Sequence, residues 1–213
     1  MDILAGLLAG ASQVLVGHPF DTIKVHLQNQ RPWPPPRALY RGFAFPLGYA
    51  CVYNALVFPI VQRTQAQYGY GLSGVLAGAC TTPLVYLVDL CTVRRQLQKP
   101  LQWQLPRGLT ACCLRETLAM SLYFSSYHAL RRCDWSPVTA GASAGLLNWT
   151  VTYPIDTVRN RQLAENVSLR EALRTQHLYR GFSICAVRAV VVNAAIFSTY
   201  EFVLSINLSL IHI

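Results

Sequence analysis

A pattern that recurs three times constrains this chain more than any other feature. LAGLLAGASQVLVGHPFDTIKVHLQ (4–28), LSGVLAGACTTPLVYLVDLCTVRRQ (72–96) and VTAGASAGLLNWTVTYPIDTVRNRQL (138–163) align without gaps. In each, a glycine (Gly10, Gly78, Gly145) stands 11 positions before an aspartate (Asp21, Asp89, Asp156), and the aspartates are 68 and 67 residues apart. Each unit continues through a polar stretch to an Arg-Gly pair: Arg41–Gly42, Arg107–Gly108 and Arg180–Gly181. A second apolar run then follows, at 43–61, 109–130 and 182–206. A fixed internal period of this kind reads as one supersecondary unit used repeatedly. The units are 1–66, 67–134 and 135–213, forming one domain.

Six apolar runs of roughly 19–26 residues are each long enough, at about 1.5 Å per residue, to cross a hydrocarbon core of about 30 Å. Composition agrees: 53% of residues are hydrophobic, 13% are charged and mean hydropathy is +0.29. The charges inside the runs (Asp21, Asp89, Asp156, Arg115, Glu116, Arg188 and Glu201) are costly at mid-membrane unless they face water or a partner. The expected fold is therefore an all-α membrane protein with six transmembrane helices in three tandem helix–loop–helix repeats of pseudo-threefold symmetry. Both termini share one side, and the three aspartate-bearing helix ends face the other. Glycines four apart (Gly6–Gly10, Gly74–Gly78, Gly141–Gly145) predict close helix contacts in all three odd helices.

The net charge of +9 comes from single or paired bases at the ends of apolar runs, not from a basic stripe, which argues against nucleic acid as a partner. The seven cysteines show neither a CxxC nor a histidine at zinc spacing, so they read as reduced, structural thiols. No nucleophile–base pair, Gly-rich phosphate loop or metal spacing recurs, so neither an enzyme nor a cofactor is expected. His18, ahead of Pro19 at a helix bend, reads as structural. The first twenty residues lack the basic n-region of a signal peptide, so targeting information is expected within the chain.

On these repeats the chain resembles the mitochondrial carrier family. Odd helices there carry a Pro-x-acid-x-x-base-x-base motif followed by glutamine. Pro19-Phe20-Asp21-Thr22-Ile23-Lys24 and Pro154-Ile155-Asp156-Thr157-Val158-Arg159-Asn160-Arg161 match it. Leu87-Val88-Asp89-Leu90-Cys91-Thr92-Val93-Arg94 matches in part, with proline displaced to Pro83 and Thr92 replacing the first base. Tyr40-Arg41-Gly42 and Tyr179-Arg180-Gly181 match the family's aromatic-basic-Gly element, and Pro106-Arg107-Gly108 does so loosely. The connections between paired helices are short, and only SLREALRTQHL (168–178) keeps the look of an amphipathic loop helix.

The resemblance implies a multi-pass, monomeric solute carrier of the mitochondrial inner membrane, surrounded by lipid that includes cardiolipin. It implies a matrix gate of Asp21, Lys24, Asp89, Asp156 and Arg159, with Asp89 meeting Lys24 and Asp21 meeting Arg159. Asp156 is then left to Arg94 or Arg95, since Thr92 is no base; Gln28 and Gln96 brace the pairs from beneath. A cytoplasmic gate reduces to Arg131 and Glu201, because Gln62, Gln65, His128 and Leu204 fill the other positions. Seven residues beyond each Arg-Gly glycine lie Tyr49, Arg115 and Arg188, the family's substrate-contact level, with Asn54 and Asn193 five residues further on.

By the same resemblance Arg115-Glu116 reads as the acid–base pair seen at this level in carriers of amino acids and carnitine-like molecules, which implies a zwitterionic or cationic metabolite as the substrate. Arg188 or Arg115 would take its carboxylate and Glu116 its cationic nitrogen, with Tyr49 able to stack on a quaternary ammonium. Two alternatives stand beside this: a nucleotide or coenzyme carrier, and a degenerate carrier that serves as a scaffold without transporting.

Overall fold

In the computed structural model, residues 2–100, 107–174, 177–192 and 195 are described, and among them the ordered elements are helical. Helix α1 spans Asp2–Gln28, α2 Ala44–Gln96, α3 Leu109–Arg132, α4 Pro137–Glu165, α5 Leu169–Leu173 and α6 Phe182–Val192. A 3₁₀ turn, Pro36–Ala38, lies between α1 and α2. Pro19, Pro59, Pro83 and Pro154 fall inside helices, where a proline removes a backbone bond and bends the rod.

The two helices expected at 43–61 and 72–96 both lie within Ala44–Gln96, the first running on as far as Gly69. The link between them, QRTQAQY, is polar but holds no helix breaker before Gly69. There the backbone turns at φ 72°, ψ 170°, and the two rods part. Gly42, Gly108 and Gly181 adopt φ of 83°, 99° and 89°, so the glycine of every Arg-Gly pair takes the same left-handed turn into the helix that follows it. Helix α5 begins with a capping box: Ser168 Oγ accepts from the Glu171 N–H, while the Glu171 carboxylate accepts from the Ser168 N–H. Ser168 Oγ also donates to the Glu171 carboxylate at 2.7 Å, and this bond together with the one from the Ser168 N–H holds the Glu171 carboxyl below its ordinary range.

Buried charges stand beside an apolar core that includes Val85, Leu90 and Val93, and large apolar side chains cover the outside. Lys24, Glu116, Asp156 and Arg159 are buried, whereas Leu114, Leu146, Val187 and Val190 are 50–71% exposed. Pro59–Gln96 is, among the described residues, the one helical segment long and apolar enough to cross a membrane, with a mean hydropathy of 1.5. Helices α1, α3 and α4, with 27, 24 and 29 residues, have the length but carry more polar residues.

Glycine spacing proves uneven in its use. A Cβ on Gly74 or Gly78 would stand 2.6 or 2.7 Å from the α3 backbone, so the two helices touch there. Gly141 and Gly145 were expected to do the same, yet a Cβ at Gly145 meets nothing within 4 Å and one at Gly141 only ordinary contacts. The surroundings of Gly6 and Gly10 lie outside the described residues.

Candidate functional site

The residues just beyond the proline bends of the odd helices converge. In repeat one, His18 Nε2 lies 3.0 Å from the Arg41 carbonyl and Thr22 Oγ1 donates to the Leu39 carbonyl at 2.8 Å. In repeat three, Tyr153 Oη donates to the Arg180 carbonyl at 3.1 Å and Thr157 Oγ1 to the Leu178 carbonyl at 2.7 Å. The residue three before the aspartate and the one after it thus tie each bent helix to its own Arg-Gly turn. His18 is structural, as its place before a proline suggested.

The ion pairs run the other way round from the expected ones. Lys24 Nζ pairs with Asp156 Oδ2 at 2.5 Å, and Arg159 Nη1 pairs with Asp89 Oδ2 at 2.9 Å. Arg159 Nη2 also reaches Asp156 Oδ1 at 2.9 Å along its own helix. Each acid therefore meets the base of the following odd helix, not the preceding one. By that rotation Asp21 should meet residue 92, but Thr92 donates its hydroxyl to Val88 O in its own helix at 2.7 Å. Asp21 pairs instead with Arg188 Nε of α6 at 2.8 Å. Arg94 does not join the layer: its guanidinium donates to the carbonyls of Leu163 (3.2 Å) and Pro100 (2.8 Å), where it ties the end of α2 to the last turn of α4.

Gln28 lies under the Asp156 pair. Its amide donates to Asp156 Oδ2 at 3.3 Å and to Thr157 Oγ1 at 3.1 Å, and its carbonyl accepts from Asn160 Nδ2 at 2.6 Å. Gln96 sits differently, donating to Thr22 Oγ1 at 3.1 Å rather than to an acid.

Above this layer lies the Arg115–Glu116 pair of α3. The Glu116 side chain is 1% exposed; it accepts from Tyr53 Oη at 3.3 Å and lies 3.7 Å from Arg159 Nη1. Arg115 Nε is 3.8 Å from Asp156 Oδ1, so the contact level and the ion-pair layer are one electrostatic cluster. Tyr49 stands beside it, its ring 5.0 Å from that of Tyr53. Trp149 of α4 closes the side: Lys24 Nζ is 4.6 Å and Arg115 Cζ 5.4 Å from its ring centre. Arg188 and Trp149 line a cavity of about 580 Å³ with Gln13, Tyr123 and Cys185. Tyr53, Trp149 and Tyr153 were not anticipated. Their signal was spacing: Trp149 and Tyr153 stand seven and three residues before Asp156, on the same helix face.

A second, outer group of charges ties the same helix ends. Glu165 pairs with Lys99 and, at 3.6 Å, with Arg31 Nη2, and Arg31 Nη1 donates to Leu97 O at 3.2 Å. These groups are partly exposed, and such pairs contribute little. Glu165→Gln is expected to cost less than about 1 kcal/mol, an effect that fades at high salt, measured by thermal unfolding in detergent. On the opposite side, Arg131 Nη1 donates to the Trp135 carbonyl at 2.6 Å, and Tyr70 stacks on His128 at 3.4 Å between ring centres. Glu201 and Asn193 lie outside the described residues, as does the side chain of Asn54.

Comparison with known proteins places the chain. The family model described as "Mitochondrial carrier protein" matches residues 1–34 and 134–208. The chain belongs to the mitochondrial carrier family. This carrier is 31% identical to the mitochondrial basic amino acids transporter of Bos taurus, in an alignment covering 96% of this chain and 91% of that protein. Its similarity to the Homo sapiens protein of the same name is 30% identity, over 96% and 90%. With the mitochondrial arginine transporter BAC2 of Arabidopsis thaliana it is 29% identical, over 94% and 89%. The bovine alignment has 272 positions against the chain's 213, so at least 59 of them have no counterpart here; the carrier is a shortened one.

Proposed function

We propose that this carrier moves a basic amino acid across the mitochondrial inner membrane by alternating access around one central site. The observation that carries the reading is the buried Arg115–Glu116 pair beside Tyr49, standing directly on an ion-pair layer that joins α1, α2 and α4. A basic amino acid brings a carboxylate for Arg188 or Arg115 and a cationic side chain for Glu116. The similarity to basic amino acid and arginine transporters supports that assignment over carnitine esters and over nucleotides.

The buried charges and the exposed Leu and Val surface support six membrane spans: α1, the two rods of α2, α3, α4 and the apolar run that opens with α6. Lys24–Asp156 and Arg159–Asp89 close the matrix side, with Gln28 as the brace. Arg131 and Glu201 form what remains of the cytoplasmic gate. A basic hollow of about 1110 Å³, bordered by Arg41, Arg95 and Lys99, supports contact with an anionic lipid such as cardiolipin. The carrier works as a monomer.

Uptake into liposomes holding the purified carrier, preloaded in turn with basic amino acids, carnitine esters and nucleotides, tests the reading. Uptake of one basic amino acid is expected, reduced at least a hundredfold in Arg188→Ala and Glu116→Ala, the cost of leaving a substrate charge unpaired in a closed site. A nucleotide as the preferred substrate sinks the amino-acid assignment. No uptake by folded, inserted protein points to the scaffold alternative.

A further inference from the structure

The layer of ion pairs has one member that its neighbours do not resemble. Asp89 and Asp156 each meet a base from another odd helix, whereas Asp21 meets Arg188, whose guanidinium also borders the 580 Å³ cavity. This pair is also the wettest: the side chain of Asp21 is 38% exposed and that of Arg188 21%, against 0% for Asp156. The cause lies in two residues. Thr92 supplies no cation and turns its hydroxyl inward to Val88, so Asp21 has no ion-pair partner on α2 among the described residues. Gly17, one turn before Asp21, supplies the room: a Cβ there would stand 3.1 and 3.2 Å from the Arg188 guanidinium nitrogens.

We infer that Thr92 and Gly17 make Asp21 an internal competitor for the carboxylate site on Arg188. This deepens the proposed function and rests on its reading of Arg188 as the carboxylate contact. One guanidinium serves two carboxylates in turn. With the site empty it holds Asp21 and so ties α6 to α1. A substrate carboxylate entering the cavity takes the guanidinium, and Asp21 is released. Loading of the site thereby loosens the matrix layer at an acid that has no second ion-pair partner among the described residues. A substrate without a carboxylate gains its binding through Glu116 alone and leaves Asp21 paired.

The test supplies the missing base. In Thr92→Arg, Asp21 gains a partner on α2 and Arg188 is freed. KM for arginine is expected to fall about fivefold, the worth of a partly exposed ion pair. kcat falls as well, because three pairs now close the layer. Inhibition by agmatine, arginine without its carboxylate, stays the same in both proteins. Gly17→Ala, which crowds the guanidinium away from α1, is expected to lower KM in the same direction and stands in should Thr92→Arg fail to fold. A variant that merely damaged the structure would raise KM. An unchanged or raised KM, in a carrier whose wild type takes up arginine, overturns the inference and leaves the proposed function standing.

A wild type that takes up nothing defeats the proposed function instead. The pairing is then read from thermal unfolding, as a double-mutant cycle of Asp21→Asn and Arg188→Gln, run once in the wild type and once in the Thr92→Arg background. Coupling that is present in the wild type and lost in Thr92→Arg upholds the exchange of partners; no coupling in either overturns it.

Discussion

Asp156→Asn is expected to destabilise the carrier by about 3–5 kcal/mol, the penalty for removing one partner of a buried ion pair while leaving the other in place. Asparagine fits the same space, so the loss is one of charge. The Asp156 side chain is fully buried and faces Lys24 at 2.5 Å, Arg159 at 2.9 Å and Arg115 at 3.8 Å. With Asp89 and Glu116 the cluster holds three acids against three bases. After the substitution Arg159 keeps Asp89 and Arg115 keeps Glu116, but Lys24 is left with two aromatic faces and no carboxylate among the described residues. Lys24→Met on top of Asp156→Asn should recover most of the loss, because an uncharged pair of similar volume costs little. Thermal unfolding in detergent measures both. A single variant within 1 kcal/mol of wild type, or a double variant worse than the single, would show that this layer is not held as drawn. The two states of a transporter differ by only a few kcal/mol, so the same substitution should favour the matrix-open state.

Local chemistry was legible in the sequence, and relations between helices were not. The Arg-Gly turns could be found by eye because a left-handed backbone favours glycine, and all three glycines show it. The aspartates could be found because a charge in an apolar run needs a reason. What the spacing could not carry was the sense of rotation around the bundle. Lys24 was expected opposite Asp89 and Arg159 opposite Asp21; the structure turns both pairs to the other neighbour, and a repeat is indifferent to that choice. The fate of Arg94 was hidden for a related reason, since its partners are backbone carbonyls at Leu163 and Pro100 that no residue type advertises. Trp149 reads as core in a list of residue types. Only its position on the face of Asp156 reveals that it stands under Lys24. The break at Gly69 lies three residues from the expected boundary because the polar link before it is as content in a helix as in a loop.

Gly78→Val is expected to separate α2 from α3 and to cost at least 1–3 kcal/mol, the usual range for forcing methyl groups into a filled contact. Glycine spacing alone cannot single this residue out; apposed backbone does. A Cβ at Gly78 would lie 2.7 Å from the carbonyl carbon and oxygen of Glu116 and from Thr117 Cα, and one at Gly74 would lie 2.6 Å from Met120 O. These are main-chain atoms, so no rotamer change relieves the overlap and a helix must move. The move also reaches the site. Tyr53, on the other rod of α2, donates to Glu116, and Glu116 holds Arg115 above Asp156. Gly78→Val should therefore lose uptake as well as stability. Gly145→Ala is the control, since it adds a methyl where nothing lies within 4 Å and replaces glycine inside α4 by a better helix former. It should leave the unfolding temperature unchanged or raise it, by up to about 1 kcal/mol of helix propensity. Equal unfolding temperatures for the two variants would mean that the α2–α3 contact is not as close as these distances say, and the place of Glu116 beside Tyr53 would fall with it.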